Sequence, residues 1–373
     1  MEASLENRAL VRTGTTLQLR RNRFHPSAGT THRMLRVGVC GTDLQIQRGA
    51  RGDRARILGH EGIGLRLPDT DRETIPVCEI FDPVDRHDQD TILGHSYDGL
   101  LRDYFTSSSG HPYQVVVAQD LLPLDLAPLT EPLATALYGW ELIGEHLRPP
   151  GRVAIFGAGS AALLLALTGE RLGYRIELIQ PRPERAQFLT GRSILGTAEL
   201  RTHAAADSAD GAIVCLPREA AHPALDSALT CLRPGGVLNL FGGIPAAFDH
   251  PDLPGVDLAA IRRRNVCGHT RGSASELVST ATGKPVWVTG HRGSSPQQLD
   301  AAQRLLIDDP ARYGALVTHV ISLEEAATRI PALAARDRAR GEHIKVVIDP
   351  TMTEPTRPAD IHTSVAQHLR QLR

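Results

Sequence analysis

At 373 residues the chain is too long for one ordinary small core, and about two domains are expected. Its 41% hydrophobic and 22% charged residues are the balance of a globular protein. A formal net charge of -1 gives no global field to attract nucleic acid or an anionic membrane, and 4% aromatic residues argue against a base-stacking surface.

The cysteines, Cys40, Cys78, Cys215, Cys231 and Cys267, are scattered and odd in number. A disulfide framework is not expected, and a reducing cytoplasm is. Residues 1–10 lack an apolar stretch behind a basic start, so no signal peptide is expected. No run approaches the ~20 apolar residues of a membrane span.

Along the chain, residues 9–47 hold short apolar segments broken by Gly, Pro and Asn and read as β-rich. They contain Cys40-Gly41-Thr42-Asp43. Gly59-His60-Glu61-Gly62 follows, then an acidic, irregular stretch over 65–92. Asp98-Gly99 marks a turn before an apolar segment at 100–105, and residues 115–118 read as a buried strand. From Glu131 the spacing turns helical, with Leu133, Leu137, Trp140 and Leu147 on one face, until Pro149-Pro150-Gly151 ends it. Residues 153–156 form a buried strand, 161–172 an apolar helix and 175–179 a second strand. Further strands are expected at 212–216, 237–241 and 286–288. This alternation implies a doubly wound parallel sheet. After Ser295-Pro296 come a helix over about 298–307, segments at 316–321 and 322–333, a strand at 343–348, and a weakly amphipathic helix from about Ile361. The expected organisation is α/β: a Rossmann domain at 137–295, inserted in a mostly β domain of residues 1–136 and 296–373.

Two constellations carry chemistry. Cys40, His60, Glu61 and Glu131 supply a thiolate, an imidazole and two carboxylates, and catalytic zinc wants about three such ligands and one open position. Singly, each has a plain structural reading: Cys40 a buried hydrophobe, His60 a polar turn residue, Glu131 an acid at a helix N-terminus. The second is Gly157-Ala158-Gly159-Ser160-Ala161-Ala162, which follows a strand and opens a helix, as a dinucleotide fingerprint requires. Gly157 permits the tight turn, Gly159 lets the backbone approach the pyrophosphate, and Ala162 stands in the packing position. The helix N-terminus binds phosphate charge.

In order and rough spacing, the Cys40, His60-Glu61, Glu131 and glycine-loop motifs resemble the zinc-dependent medium-chain dehydrogenase/reductase family, the alcohol and polyol dehydrogenases, over about residues 8–350. The resemblance implies a GroES-like catalytic domain, zinc held by Cys40, His60 and Glu131, and Glu61 beside the metal, able to replace water. It implies hydride transfer between NAD(P) and a secondary alcohol or ketone. Glu131, where typical alcohol dehydrogenases carry a second cysteine, looks more like the polyol and sugar branch. In the family a residue at the place of Thr42 bonds the substrate hydroxyl and passes its proton outward. Thr135 matches a position beside the nicotinamide, and Phe241-Gly242-Gly243 would run along the cofactor. The expected partners are a small alcohol or ketone and further copies of the chain in a homodimer or homotetramer.

The sequence also departs from the pattern. Gln45 stands where a relay histidine is usual, and glutamine cannot titrate. Cys78 stands alone where a four-cysteine lobe is common, near Asp82, Asp85, His87 and Asp90, so the structural zinc is expected to be absent. At the end of the second Rossmann strand Gln180 replaces the acid that binds the adenosine 2′-hydroxyl, and Arg182 lies two residues on. This favours NADP over NAD, since Arg182 can bind a 2′-phosphate; the plainer reading makes Arg182 and Arg185 surface residues. Arg48, Arg51, Arg54 and Arg56 could hold a substrate anion or form a solvated basic loop. The stretch 268–284 could cover a cleft or build an interface. Two other functions stay open: a zinc-free quinone or enone reductase, and a non-enzymatic cofactor-binding paralogue.

Overall fold

A computed structural model describes residues 4–24, 29–68, 76–106, 112–192, 194–245, 248–335 and 342–372. The chain divides into two units, Met1–Glu131 with Leu299–Arg373, and Pro132–Gln298. Among the described residues no helix is long and apolar enough to cross a membrane.

The first unit is built on an eight-stranded mixed sheet. Its central strand Thr31–Val39 pairs antiparallel with Glu61–Arg66 on one side and Lys345–Ile348 on the other. Glu61–Arg66 continues to Val77–Asp82 and Gln114–Val117, and Lys345–Ile348 to Val317–Ile321 and Thr356–Arg357. This order brings the Cys40 end of one strand, the Glu61 start of the next and the Lys345 start of the third to a common edge, with Val346 opposite Val39 and Gly38 opposite Glu61. Leu10, Met34, Val37, Ile46, Leu58, Phe81, Leu100 and Ile348 are among its buried core residues. The C-terminal segment is tied in by a charged network: Asp125 takes Arg36 at 2.6 Å and Arg357 at 2.5 Å, and Arg357 also reaches Asp349 at 3.1 Å.

Some local expectations need correction. Within 65–92 the segment Val77–Asp82 is a strand, buried along most of its length. Its acids disguised it, because Glu79 finds partners inside the fold, His32 at 2.6 Å and Arg66 at 3.0 Å. Residues Gly41–Gln47 are a helix inside the stretch read as β-rich. The strand Gln114–Val117 lies at the sheet edge with Val117 63% exposed, so it is not buried. Leu100 and Leu101 precede the short strand Tyr104–Thr106 and are held instead by backbone bonds to Gly59 and Leu58.

The second unit is a seven-stranded sheet in the order Glu199–Arg201, Arg175–Ile179, Arg152–Phe156, Ala209–Val214, Leu232–Leu240, Pro285–Gly290 and Ser275–Ser279. All neighbours are parallel except the last pair. The order reverses between Arg152–Phe156 and Ala209–Val214, the switch point at which doubly wound sheets bind ligands. The segment 268–284 is accounted for in part by the edge strand Ser275–Ser279.

The helices Thr130–Gly144 and Ser160–Arg171 pack closely because Gly169 has no side chain. A Cβ there would lie 2.3 Å from the Trp140 ring, whose indole N–H donates to the Leu165 carbonyl at 2.9 Å. Leu133 and Trp140 are buried, whereas Leu147 lies beyond the helix end and is half-buried. Alanine is the better helix former by ~1 kcal/mol, yet overpacking here costs ~1–3 kcal/mol. Gly169→Ala is therefore expected to lower the denaturant midpoint; an unchanged or raised midpoint would refute this packing.

Candidate active site

Cys40 caps the helix Gly41–Gln47. Its Sγ accepts the Thr42 N–H at 3.3 Å, and its own N–H donates to Asp43 at 2.8 Å. Asp43 is fully buried, accepts the Gly59 N–H at 3.2 Å, and lies 3.8 Å from His60 Nδ1. The carboxylate thus faces one ring nitrogen and leaves Nε2 as the second donor, the arrangement common behind metal-bound histidines. Gly59 takes φ +89°, and Gly99 packs onto its carbonyl where a Cβ would meet the oxygen at 2.1 Å. The turn ahead of His60 is thereby fixed from two sides.

Ligand atoms of Cys40, His60 and Glu61 all lie within 4.8 Å of one another. His95 joins His60 and Asp43 in a similar group, its ring edge-on to His60 at 4.7 Å. Glu61 is buried, and its Oε2 accepts from Lys345 Nζ at 2.5 Å; Lys345 is itself wholly buried and also donates to Val39 O at 3.4 Å. Gly38 makes room for this carboxylate, since a Cβ would sit 2.7 Å from Glu61 Oε2. Glu131 is half-buried and falls outside the tight group, but its negative charge acts on both Asp82 and Lys345.

The electrostatics are those of a site short of cations. Burial alone would lower the His60 imidazole, but its hydrogen bond to Cys40 and the charges of Cys40, Asp43 and Glu61 raise it to about 10. Burial likewise opposes the Lys345 charge, which is outweighed chiefly by Glu61 and then Cys40, so its pKa is raised. Asp82 is pushed up to about 7, first by burial and then by Glu131. Surroundings that hold a proton on His60 so firmly also suit a divalent cation. The thiolate, imidazole and carboxylate donors fit zinc.

Near the helix start, Thr42 is half-buried, and Gln45 turns back to its own helix, donating to Gly41 O at 3.4 Å. Arg51 is bound in two places by Asp53, at 2.8 and 2.9 Å, which is the plainer reading for that arginine. Cys78 is buried in its strand and belongs to no group of three metal-ligating side chains among the described residues.

In the second unit Gly157 has φ +131°, with Cys215 O only 2.4 Å from where its Cβ would be. Gly159 caps the helix Ser160–Arg171 with open space around it, and Ala162 is buried beneath. Gly242 presses on Leu216 O in the same way, at 2.4 Å, and Gly243 lies against Arg218. Both glycine segments therefore meet Cys215 and Leu216, the residues that follow Ala209–Val214, at the switch point. Gln180 is buried, its Oε1 accepting the Arg182 N–H at 3.0 Å, while Arg182 is exposed. Arg185 departs from the surface reading: it is buried and donates to Ala158 O at 2.6 and 3.1 Å, bracing the glycine loop. The Thr135 carbonyl accepts from His291 Nε2 at 2.9 Å.

Sequence reasoning missed Lys345 and His95, and it named Asp43 and Asp82 without giving them a part in this site. One signal was available: Lys345 is a lone charge in the apolar run Ile344-Lys345-Val346-Val347-Ile348.

No family model matches the chain. The glucose 1-dehydrogenase of Halobacterium salinarum is 29% identical over 319 residues, covering 72% of this chain and 86% of that protein. That of Thermoproteus tenax is 29% identical over 237 residues, covering 57% and 67%. Among solved structures, L-idonate 5-dehydrogenase of Escherichia coli superposes with a TM-score of 0.69 at 16% identity, over 93% of this chain and 99% of that one. Together with the two units just described, these likenesses define a Rossmann unit inserted in a GroES-like one. The fold is that of the zinc-dependent medium-chain dehydrogenase/reductases, and the chain is similar in sequence to glucose 1-dehydrogenases.

The Lys345–Glu61 pair gives a direct test. Removing one partner of a buried ion pair typically costs ~3–5 kcal/mol. Lys345→Met in chelator-treated protein should lose stability of that order in denaturant unfolding, and a loss below about 1 kcal/mol would show that Glu61 does not depend on this lysine.

Proposed function

We propose that this protein is a zinc- and NAD(P)-dependent dehydrogenase that moves a hydride between the cofactor and a secondary alcohol or its ketone on a polyol, sugar or cyclitol. The observation that carries the reading is the convergence of half-buried Cys40 with buried His60 and Glu61 on one point. The sugar-directed names of its relatives support the substrate class. Cys40, His60 and Glu131 would hold zinc, with Glu61 as an exchangeable fourth donor. When bound, zinc polarises the carbinol oxygen and lowers its pKa.

The chain's own groups do the rest. Thr42, two residues after the Cys40 cap, accepts a hydrogen bond from the carbinol and takes its proton. Gln45 does not titrate and is turned into its helix, so the proton leaves Thr42 through water. Asp43 keeps His60 oriented, and Lys345 holds the Glu61 carboxylate in place. Gly157, Gly159, Ala162, Gly242 and Gly243 form the cofactor's seat, Thr135 stands beside its nicotinamide, and Gln180 with Arg182 meets its adenosine ribose. The edge strand Ser275–Ser279, with Leu277 53% exposed, suits pairing with a second copy in a homo-oligomer.

The test is a screen of polyols, sugars and cyclitols, and their ketones, with NAD(H) and NADP(H). Turnover that disappears in Cys40→Ala supports the reading, and turnover that survives it contradicts the metal's role. Thr42→Val, which keeps the shape without the hydroxyl, should slow single-turnover hydride transfer by roughly 10²–10⁴-fold, with a much smaller effect from Gln45→Ala. A Thr42→Val rate equal to wild type would move the proton step to another group.

Cofactor choice is tested separately. Arg182→Ala should weaken NADP(H) binding by about 1–3 kcal/mol, the worth of a charge-assisted hydrogen bond, and leave NAD(H) nearly unchanged. Equal losses for both cofactors would refute the 2′-phosphate assignment.

A further inference from the structure

A second group of metal-ligating side chains lies in the second unit, away from everything assigned above. His222 and Asp226 stand one turn apart on the helix Ala221–Cys231, and His250 comes from the connection after Leu232–Leu240. Asp226 uses its two oxygens in two directions: Oδ2 lies 3.4 Å from His222 Nδ1, and Oδ1 lies 3.2 Å from His250 Nε2. All three ligand atoms lie within 4.8 Å of one another. The two imidazole rings are 4.7 Å apart, with Phe248 against both.

We propose that His222, Asp226 and His250 form a second metal site, for zinc or a zinc-like transition ion, which clamps the connection carrying His250 to its neighbouring helix. The donor set of two imidazoles and one carboxylate is a zinc set. A tetrahedron with bonds of ~2.0–2.1 Å has edges of about 3.3–3.4 Å, so three ligand atoms within 4.8 Å of one another need only draw together to hold one ion. The burial agrees as well: His250 is 1% exposed, and its Nε2 has no hydrogen-bond partner despite the nearby Asp226 oxygen. A buried polar atom left so is costly, and a metal ion at the common point would satisfy it. His222 and Asp226 are about half exposed, at 49% and 52%, which gives the ion a way in and leaves the remaining position to water. There is one opposing term. His250 Nδ1 accepts a long hydrogen bond from the Asp252 N–H, at 3.3 Å. Coordination through Nε2 puts the ring proton on Nδ1, so this contact is given up.

The experiment uses the full chain without a histidine tag, stripped with chelator and dialysed to equilibrium against cobalt(II), with bound metal counted by elemental analysis. Wild type should hold one ion more per chain than either His222→Ala or Asp226→Asn, both semi-exposed positions where the substitution spares the core. The ion lost in these variants should lack thiolate charge-transfer absorption, whereas the ion lost in Cys40→Ala should carry it. That difference separates this site from the catalytic one, so either can fail alone. A count unchanged in either His222→Ala or Asp226→Asn would overturn the proposal and leave an ordinary His–Asp contact.

Discussion

The first unit depends on one electrostatic constraint: buried acids converge at one sheet edge, and they need cations to stay there. Cys40, Asp43 and Glu61 surround His60, and Glu131 adds its field from farther off. Lys345 answers Glu61, and a proton on His60 answers Cys40 and Asp43. Desolvating such groups without compensation would cost several kcal/mol each. The set is therefore built to bind positive charge, and its donors make a transition metal the natural occupant.

The fold supplies this geometry with few free parameters. Three neighbouring strands fix the Cβ positions of Glu61 and Lys345 and the approach to Cys40, through backbone pairings that side-chain changes leave alone. A seven-residue helix capped by Cys40 sets the thiol and the Asp43 carboxylate together. Glycines at 38, 59 and 99 remove side chains where carboxylate, turn and neighbouring loop must touch. In the second unit the same economy appears at Gly157 and Gly242, each pressed on a carbonyl of the segment that follows Ala209–Val214. Arg185 locks the first of these loops from below.

Much of the architecture was legible in the chain. The βα alternation gave the parallel sheet because both faces of such strands are buried and read as apolar runs. Helix Pro296–Asp308 and strand Lys345–Ile348 stood out by periodicity and β-branched content. Strand Val77–Asp82 did not, because its acids are compensated by partners far away in sequence. Lys345 stood out as a lone charge in an apolar run, but its partner was illegible for the same reason, because Glu61 lies 284 positions away. Cys40, His60 and Glu61 could be picked out by motif, but only three-dimensional structure reveals what orients them. Arg185 shows the converse: a residue that looks like a helix-start surface charge is instead an internal brace. The His222–Asp226–His250 group had a visible half, the helical spacing of its first two members, while its third member is set by the path of a connection.

The central claim is that zinc sits at the Cys40 cluster, and anomalous X-ray scattering at the zinc edge tests it most directly. Crystals of protein washed briefly with chelator, to empty weak surface sites, should show a peak bonded to Cys40 Sγ at ~2.3 Å and to His60 at ~2.0–2.1 Å. No peak there, or zinc bound elsewhere while Cys40 and His60 stay unligated, would contradict it.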